Sequence, residues 1–378
     1  MVEATAETTV LLRVALYGFG NQNKEMAKLL LERRDVEIVA VISNQSNVGR
    51  TLGEVLDEGS TEDQLELLHN STELQVKVTR GADAAQILNE TRPHVALLST
   101  FSTIVDIEPH LRVCAEAGVN VVTIAEELLF SWTSAPAKTK EMDLLFKQKN
   151  VSLIGSGFID GACCDLTRTM AAMMHRVEKL EGGLQYNVDH YGKVLAIAHG
   201  VGLGEEEFFD AGAGGPGVVS ASAYPKSYVY NSNEWFAAAL GLTLVKTEEV
   251  RSPTKAKVEV FSEAIGRAIP AGQCTGMAVT ATTFTEEGVV IVGKQVGKCY
   301  EAGEEDWNAW RFEGGNPSAG IGFSMTAPPT PAMTNMATIG RMWQALEAPT
   351  GYVTTDRLPS MAGYDHKKLR RGPVGGHR

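Results

Sequence analysis

Cysteine is scarce in this sequence, and its spacing excludes two kinds of cross-linked architecture. The 378 residues include only five cysteines, Cys114, Cys163, Cys164, Cys274 and Cys299. An odd number without paired spacing fits neither a disulfide framework nor a zinc site, and the eight histidines show no metal-ligand spacing. We therefore predict reduced thiols, a cytosol-like compartment and no bound metal.

Long apolar runs and an excess of positive charge are also lacking. No run reaches the ~20 apolar residues of a membrane-spanning helix, and the polar, acidic segment 1–9 does not resemble a signal peptide. The net charge of −12 disfavours nucleic acid and membrane surfaces as partners. We expect a cytoplasmic protein with neither kind of partner.

Three common catalytic signatures are absent as well. The sequence has no Gly-x-Ser-x-Gly nucleophile turn, no phosphate-binding loop that ends in Gly-Lys-Ser/Thr, and no His-Glu-x-x-His metal motif. Its length and its 44% content of hydrophobic residues nevertheless allow two domains, each with its own core. A catalytic site must therefore be sought in less local patterns.

The first half of the chain alternates between strands and helices. Apolar runs predict strands at Leu11–Tyr17 and Val36–Ile42, and helical spacing lies between them at Asn23–Arg33. Further strands are predicted at His94–Leu98, Asn120–Ile124 and Val151–Ile154, with helices at Ala84–Asn89, Ile107–Ala117 and Thr139–Lys149. This α/β order is typical of a doubly wound parallel sheet, so we predict a Rossmann domain over residues 1–165, with a polar surface insertion at 55–78.

Longer strands characterise the second half. They are predicted at Leu184–His190, Leu242–Val250, Lys255–Phe261, Met277–Thr285 and Gly288–Gly293, with a hairpin turn before the last. We therefore predict a second, α+β domain with a mostly antiparallel sheet over residues 166–328. A late helix is predicted at Ala332–Leu346, and the basic end at 361–378 is expected to be a mobile tail.

A glycine turn connects the first strand to the first helix. It consists of Gly18, Phe19, Gly20, Asn21, Gln22 and Asn23. Glycine at 18 permits a tight turn, and glycine at 20 allows a pyrophosphate to approach the helix N-terminus, where amide groups and the helix dipole favour anions. Asn23 stands where the usual pattern has a third glycine. The position of the turn, after a strand and before a helix, predicts a dinucleotide site.

The residues after the second strand bear on which dinucleotide binds. NAD-selective sites usually place Asp or Glu there, whereas this chain has Ser43, Asn44 and Gln45. Ser43 and Asn44 can donate hydrogen bonds to a 2′-phosphate, and Arg50 either supplies charge or caps the next loop. The pattern favours NADP(H), while use of NAD(H) as well stays open.

Two adjacent acids follow the strand at 120–124. Ligands of open parallel sheets lie beyond the carboxyl ends of the strands, so Ala125 and either Glu126 or Glu127 would face the nicotinamide. Adjacent side chains diverge, and the one carboxylate that enters the pocket would have a pKa raised by burial. The other interpretation is that these acids stabilise a helix N-terminus. The residues after the strand at 94–98 are expected to line the same cofactor site: Ser99, Thr100 and Phe101.

Two nearby segments supply candidate substrate contacts. Phe130 and Trp132 either wall an apolar pocket or belong to the core. The turn at 155–161, which precedes a long helix predicted from about residue 162, contains Gly157, Phe158 and Asp160. This turn either brings backbone amides near the nicotinamide or serves only as a flexible link between strand and helix.

The motifs taken together resemble one known family. The chain is similar to 2,4-diaminopentanoate dehydrogenase and the native amine dehydrogenases, in register over nearly its whole length. The segments that carry the resemblance are Val14–Gly20, Val41–Asn44, Asn120–Glu127, Gly200–Phe208 and Thr354–Pro359. The strand that ends in Thr-Ile-Ala-Glu-Glu is the most specific of them. Wider relatives are dihydrodipicolinate reductase, homoserine dehydrogenase and diaminopimelate dehydrogenase.

The resemblance implies a fold, an assembly and a reaction. The late helix, within about residues 329–360, would return to the Rossmann domain, and the second domain would bind substrate and form a homodimer. The implied reaction is reversible oxidation of an amine by hydride transfer to nicotinamide C4, with ammonia and a ketone or aldehyde as products. A family glutamate holds the amine and moves protons. Its place relative to Thr123 corresponds to Glu126, with Glu127 as the second choice.

Two departures from the family pattern affect the expected substrate. The family's Asn-Pro-Gly turn reads Asp160-Gly161-Ala162 here, and the substrate domain matches least well. No partner for a second charged substrate group is identified, so Phe130 and Trp132 favour a small, largely apolar amine or ketone. The alternatives are a diamine or amino-acid dehydrogenase on the same scaffold, and a non-catalytic protein that senses NADP.

Overall fold

The computed structural model describes residues 11–58, 72–210, 226–315, 320–361 and 365–369. A seven-stranded, wholly parallel sheet has the strand order β15-β6-β5-β4-β1-β2-β3. Its strands are β1 Leu12–Tyr17, β2 Val36–Ser43, β3 Val78–Arg80, β4 Val95–Leu98, β5 Asn120–Thr123, β6 Ser152–Gly155 and, near the end of the chain, β15 Gly351–Tyr352. The helices between them are α1 Asn21–Leu31, α2 Leu52–Leu56, α3 Ala84–Thr91, α4 Ile104–Glu116 and α5 Pro136–Gln148.

Both faces of this sheet are covered, because successive residues of each strand point to opposite sides. In β1, Val14 and Leu16 pack into one core with Met26 of α1. Ala15 and Tyr17 pack into the other core, which includes the buried faces of α4 and α5. The predicted Rossmann-type architecture is confirmed.

Two helices of the first sheet begin earlier than the apolar spacing predicted. The Thr103 side chain accepts a hydrogen bond from the Asp106 N–H and caps α4, so the helix includes three residues before Ile107. In α5, Pro136 occupies the first helical turn, where its missing N–H and fixed φ are tolerated. Capping residues, which carry no apolar periodicity, therefore set these boundaries.

The second sheet has six strands in the order β14-β13-β7-β12-β11-β8. Every neighbouring pair is antiparallel except β7 with β12, so the prediction of a mostly antiparallel sheet is confirmed. The strands are β7 Lys179–Asn187, β8 Leu244–Lys255, β11 Cys274–Thr285, β12 Val290–Lys298, β13 Trp307–Glu313 and β14 Gly320–Thr326, with a separate ribbon of β9 Val260–Ser262 and β10 Arg267–Ile269. The helices of this part are α6 Leu166–Ala171, α7 Lys193–Ala198, α8 Glu205–Asp210 and α9 Tyr228–Ala239.

Several predictions for the second half were wrong in their boundaries or missed an element. The strand predicted at 184–190 begins earlier, at Lys179, and gives way to a 3-10 helix at Val188–Tyr191. Strand β8 continues through Pro253, which an edge strand tolerates because its outer N–H positions need no partner. Neither β13, β14 nor α9 was predicted. Helix α9 buries polar residues, Asn231 and Asn233 among them, and so lacks an amphipathic signal.

The end of the chain returns to the first sheet. Helix α10, Thr330–Glu347, contributes Ile339 and Met342 to the core on the α1 side of that sheet, where the late helix was predicted. Within the segment predicted as a mobile tail, residues 365–369 contact the first domain, where the Arg34 N–H donates to the Lys368 carbonyl at 2.8 Å. Residues 362–364 and 370–378 lie outside the described part.

The predicted surface insertion at 55–78 is partly integrated into the fold. A 3-10 helix at Thr72–Gln75 buries Glu73, whose carboxylate accepts a hydrogen bond from the Ile38 N–H at 2.8 Å. Residues 59–71 are outside the described ranges. Elsewhere all five cysteines are buried and free, and no described helix combines the length and apolar character needed to cross a membrane.

Candidate active site

A cavity of about 520 Å³ lies where the carboxyl ends of the parallel strands meet the second sheet. One wall comes from the first sheet and its loops, including Gln22, Thr100, Glu126 and Gly157. The opposite wall comes from the second sheet and its helices, including Leu184, Tyr186, Tyr228, Met277 and Gln295. This is the edge at which open parallel sheets bind their ligands. We refer to this space as the central cavity.

The glycine turn at 18–20 passes very close to the backbone of the loop after β4. Gly18 has a φ of +87°, and an added Cβ would lie 2.3 Å from the Ser99 carbonyl oxygen. The Gly18 and Phe19 N–H groups both donate to the Ile42 carbonyl, at 2.9 and 3.0 Å. The first helical hydrogen bond runs from Lys24 N–H to Gly20 O, which leaves the amides of residues 21–23 pointing beyond the helix start.

Three residues predicted to contact the cofactor have side chains that belong to the interior of the fold. Phe19 is 1% exposed and Ala125 is also 1% exposed, and both side chains belong to the core. Asn23 is fully buried, and its side-chain amide donates to the carbonyls of Tyr17, Gly18 and Leu97 at 3.0–3.2 Å. The asparagine at the third-glycine position therefore ties together the ends of β1 and β4.

Ser43, the last residue of β2, is buried, Asn44 and Gln45 after it are exposed, and the Arg50 side chain is engaged by other partners. Its guanidinium donates to the Glu54 carbonyl at 2.7 Å and to the Glu58 carboxylate at 2.8 Å. These contacts support the interpretation of Arg50 as a loop cap. A different arginine, Arg80, is aligned with Ser43 in the β2–β3 pairing and is exposed. Sequence reasoning missed it, because β3 has only three residues.

The loop after β4 presents polar groups to the central cavity. Thr100 and Phe101 line it, whereas Ser99 uses its N–H to bond the Tyr17 carbonyl at 2.8 Å. Thr100 Oγ1 is buried and has no hydrogen-bond partner in the described part of the chain. Buried hydroxyls are normally paired, so this oxygen is suited to a ligand.

The two adjacent glutamates have different surroundings. Glu126 lines the central cavity, where burial raises the pKa of its carboxyl and a hydrogen bond from the Ser102 side chain opposes that rise. The Glu127 carboxylate accepts from Ile104 N–H at 2.8 Å and from Ser134 Oγ at 3.0 Å. Glu127 therefore stabilises the N-terminus of α4. The interpretation as a helix N-terminus applies to Glu127, and a role of Glu126 at the nicotinamide stays a prediction.

Tyrosines from the second half surround Glu126. Burial and the charge of Glu126 raise the pKa of Tyr186, Tyr191 and Tyr228, that of Tyr191 to about 12. These phenols are neutral at physiological pH, and those of Tyr191 and Tyr228 can donate hydrogen bonds into the cavity. None of them was predicted from the sequence, because they come from a strand, a short helix and α9, and no local motif marks them.

A hydrogen-bond chain fixes one of these tyrosines. The Nδ1 atom of His199 is 2.9 Å from the Leu195 carbonyl, so Nδ1 carries the hydrogen and Nε2 accepts from the Tyr186 hydroxyl at 2.7 Å. Gln295 donates to the same hydroxyl at 2.8 Å. Burial lowers the pKa of His199 to about 4, so the imidazole stays neutral and holds Tyr186 in place.

The aromatic wall predicted at Phe130 and Trp132 is absent from the described lining of the central cavity. These residues line a separate cavity of about 540 Å³, and the Trp132 ring packs 5.3 Å from the Tyr352 ring. The short 3-10 helix at Glu126–Leu129 turns the chain away after Glu126. Aromatic residues near the carboxylate in sequence are therefore directed to another surface.

The turn after β6 contributes to the central cavity only in part. Gly157 and Phe158 line it. The Asp160 carboxylate, however, is held by Arg341 of α10 through two hydrogen bonds of 2.9 Å and by Ser156 at 2.8 Å. Asp160 and Arg341 are fully buried, so the predicted substrate contact is a structural ion pair. Across the described residues, no group of His, Cys, Asp or Glu is arranged to hold a metal ion.

Comparison with known proteins adds an independent observation. No family model matches the chain. Over 200 residues it is 26% identical to 2,4-diaminopentanoate dehydrogenase of Acetoanaerobium sticklandii, and this match spans 52% of each chain, about half the relative's length. The solved structure of an amine dehydrogenase from Mycobacterium smegmatis is similar at a TM-score of 0.79 and 31% identity, covering 93% of this chain and 97% of that chain.

Proposed function

The chain belongs to the amine dehydrogenase family, as its likeness to a solved member over nearly all of both chains shows, and we propose that it is itself an amine dehydrogenase. In the proposed reaction an oxidised nicotinamide nucleotide takes a hydride from a small amine, and water hydrolyses the resulting imine. The products are a ketone or aldehyde, ammonia, the reduced nucleotide and a proton, and the reaction is reversible. The observation that carries the proposal is the Glu126 carboxylate, which lies in the central cavity beyond the carboxyl end of β5.

The residues present fit a dinucleotide. The close contact of Gly18 with Ser99, the open space at Gly20 and the unpaired Thr100 hydroxyl form a path from the helix start to the central cavity. Amides at residues 21–23 would hold the pyrophosphate. When bound, the nicotinamide exchanges two electrons and one hydrogen with the carbon that carries nitrogen.

NADP(H) is the nucleotide that the site favours. The end of β2 has Ser43 followed by the exposed Asn44 and Gln45, and no acid that would repel a 2′-phosphate. Arg80 is next to Ser43 across the strand pair, and a guanidinium is the preferred partner of a phosphate. Since Arg50 is engaged by Glu58, we assign the charged contact to Arg80.

Glu126 would bind the substrate nitrogen and handle its protons. As an ionised carboxylate it would accept a proton from the ammonium form of the substrate, which frees the nitrogen lone pair, and pass that proton to solvent. The carbon–nitrogen unit becomes positively charged as it is oxidised, and the carboxylate, ionised again, would stabilise this charge. Glu126 would then take a proton from the water that adds to the carbon and return it to the nitrogen, so that ammonia can leave.

The cavity favours a monoamine over a diamine. Besides Glu126, its acids are Asp106 and Asp160. The Asp106 carboxylate bonds the Thr103 hydroxyl at 2.5 Å, and that of Asp160 is paired with Arg341. Of these two acids, Asp160 is thus neutralised, and Asp106 is tied to the N-terminus of α4. We therefore propose a substrate with one amino group and a largely apolar body.

We include the homodimer in the proposal. Strand β8 is at the edge of the second sheet, and its Val245 and Val250 are 58% and 69% exposed. Exposed apolar side chains at a sheet edge are the kind of surface that a subunit interface covers. Light scattering should give twice the mass of one chain, and the mass of a single chain would exclude the dimer.

The activity is tested by NADPH oxidation with ammonia and a panel of small ketones and aldehydes, cyclohexanone among them. We expect turnover that requires both ammonia and the carbonyl, and a diamine or amino acid should compete poorly. The amine dehydrogenase proposal fails if no carbonyl or amine gives ammonia-dependent turnover. Tight NADPH binding without turnover would instead favour the non-catalytic, cofactor-sensing alternative.

A further inference from the structure

The hydroxyl of Tyr186 is the centre of a hydrogen-bond network in the wall of the central cavity. Tyr186 lies on β7, Gln295 on the neighbouring strand β12, and His199 directly after α7. The Nε2 atom of His199 is 2.7 Å from the Tyr186 hydroxyl oxygen, and that of Gln295 is 2.8 Å from it. All three residues line the central cavity, so the hydroxyl that they share borders the space in which a substrate would bind.

The outer partners of this network fix the direction of each hydrogen bond. The Tyr228 backbone N–H can only donate, and it bonds Gln295 Oε1 at 3.1 Å, so the amide NH₂ of Gln295 is turned to Tyr186. The Leu195 carbonyl can only accept, so the neutral His199 imidazole carries its hydrogen on Nδ1 and accepts with Nε2. The Tyr186 hydroxyl therefore donates its one hydrogen to His199.

The Tyr186 oxygen is left with accepting capacity alone. Its hydrogen is donated to His199 and one lone pair accepts from Gln295, so one lone pair remains. Among the residues that the structure describes, no third group bonds this oxygen. Such an oxygen binds N–H groups and disfavours a carbonyl oxygen, because a carbonyl brings lone pairs and no hydrogen.

Close packing against β12 holds the network in one place. Tyr186 is paired with Gly297 across the two strands. A Cβ added at Gly297 would lie 2.6 Å from the His199 ring and 2.8 Å from Cζ of Tyr186, so both rings lie against bare backbone there. Tyr186 is 7% and His199 3% exposed. The acceptor is therefore preorganised and needs little rearrangement when a donor arrives.

We infer that Tyr186 is a specificity-determining residue, whose oxygen accepts an N–H of the substrate and selects a nitrogen group over a carbonyl oxygen. This inference rests on the proposed function. The ammonium and iminium forms of the substrate each carry at least two N–H bonds, of which Glu126 would accept one and Tyr186 another. A ketone in the same place would bring an acceptor toward two acceptors, so its direct reduction to an alcohol is disfavoured.

The other two phenols near Glu126 differ from Tyr186 in what they offer. Burial raises the pKa of all three phenols, and the charge of Glu126 adds to the rise, so all three are near that carboxylate. Tyr191 and Tyr228 keep a hydrogen that they can donate into the cavity. The selection against a carbonyl oxygen therefore depends on Tyr186 and, through its hydrogen, on His199.

Four variants separate the accepting role of Tyr186 from a merely structural one. Tyr186→Phe removes the oxygen, and His199→Leu removes the acceptor that holds the phenol hydrogen. His199→Gln keeps an acceptor at that place. Tyr300→Phe is the matched control, because its hydroxyl bonds Asp306 and Tyr300 is outside the described lining of the central cavity. Thermal unfolding of each variant identifies loss of fold.

Two readouts compare the nitrogen group with the carbonyl group. Calorimetry measures the affinity of cyclohexylamine for the enzyme saturated with NADPH and of cyclohexanone for the enzyme saturated with NADP, because neither pair can exchange a hydride. The second readout is the ratio of cyclohexylamine to cyclohexanol formed from cyclohexanone, NADPH and limiting ammonia. A general loss of activity or fold would not change this ratio.

Tyr186→Phe should weaken cyclohexylamine binding about tenfold and leave cyclohexanone binding unchanged, because one N–H loses its acceptor. His199→Leu should weaken the amine, strengthen the ketone and raise the share of alcohol, because the released phenol hydrogen can bond a carbonyl oxygen. His199→Gln and Tyr300→Phe should keep the wild-type values.

Equal ratios of amine to ketone affinity in the wild type, Tyr186→Phe and His199→Leu would overturn the inference and leave the amine dehydrogenase proposal intact. If the wild type forms no amine, the amine dehydrogenase proposal fails. The two titrations need no turnover, so they still decide whether Tyr186 selects a nitrogen group.

Discussion

At the scale of single residues, Arg80 is predicted to determine which nucleotide binds, without taking part in catalysis. We predict that Arg80→Ala weakens NADP binding roughly ten- to a hundredfold and leaves NAD binding unchanged, because one charge-assisted phosphate contact contributes about 1.5–3 kcal/mol. Titration calorimetry with both nucleotides measures the difference. Arg50→Ala is the control, since its guanidinium is engaged by Glu58. Equal losses for NAD and NADP, or a loss only in the Arg50 variant, would contradict the assignment.

Asp160 shows why some residues could not be assigned from the sequence. Its position after β6, in a turn that lines the central cavity, suggested a substrate contact. The carboxylate instead meets Arg341, which is 181 positions away in the chain. A buried carboxylate needs such a partner, but nothing near Asp160 in the sequence indicates which cation supplies it. Long-range pairing of this kind is determined by the tertiary fold alone.

Glu126 and Glu127 illustrate the opposite case. Their placement at the carboxyl end of a parallel strand was sufficient to predict that one would face a ligand and one would not. The choice between them depends on the direction of the short 3-10 helix at 126–129. Local propensity does not determine that direction, and the contacts of Glu127 with α4 do.

At the scale of elements, the two glycines of the turn between β1 and α1 have different roles that separate variants can test. We predict that Gly18→Ala destabilises the protein by about 2–4 kcal/mol, because its Cβ would overlap the Ser99 carbonyl and φ is positive. Gly20→Ala should leave stability unchanged, since Gly20 has a φ of −94° and no atom lies within 4 Å of the added Cβ.

The Gly20 variant should nevertheless bind NADP more weakly, because the methyl group would occupy the approach of the pyrophosphate. Urea unfolding gives the stability of both variants, and fluorescence titration of NADPH gives the affinity of Gly20→Ala. Normal nucleotide affinity in Gly20→Ala would contradict the placement of the pyrophosphate at this turn.

Prediction of elements was accurate where apolar periodicity was strong. The parallel strands β1, β2, β4, β5 and β6 are near-continuous apolar runs and were found within about two residues of their ends. Helix α9 was missed because its inner face is polar: the Asn233 side chain bonds the backbone of β11 and β12. Buried amides satisfied by strand carbonyls look like surface residues in a sequence.

At the scale of the whole molecule, the site is formed between two sheets, and this explains what remained hidden. The nucleotide side could be predicted, because a glycine turn and strand ends are local patterns. The facing wall comes from residues 184–295, where Tyr186 and Tyr228 approach Glu126 only after the second sheet has docked. The contacts across the cavity therefore depend on how the two sheets pack against each other.

Two buried groups give the folded protein a pH-dependent stability. Burial raises the pKa of Glu234 to about 7, and the side chain is 2% exposed. The folded state therefore holds this proton between the ordinary value of 4.5 and about 7, and stability is lost as pH rises through that window. The pKa of His199 is lowered from 6.5 to about 4, so the folded protein also loses stability as the pH falls through that range.

We predict that Glu234→Gln removes the alkaline decline. The free energy of unfolding of the variant should exceed that of the wild type increasingly between pH 5 and pH 8, up to about 3 kcal/mol. Urea unfolding at several pH values measures this difference. A constant difference across the range would mean that Glu234 ionises alike in the folded and unfolded states.

The most direct test of the central claim compares Glu126→Gln with Glu127→Gln. Glu126→Gln should lower amine turnover at least ~100-fold, with NADPH affinity and unfolding temperature unchanged, because the amide cannot accept the substrate proton. Glu127→Gln should keep turnover and lose about 1 kcal/mol of stability, since it weakens the cap of α4. Full turnover in Glu126→Gln, or its loss only in Glu127→Gln, would contradict the assignment of Glu126 to the chemistry.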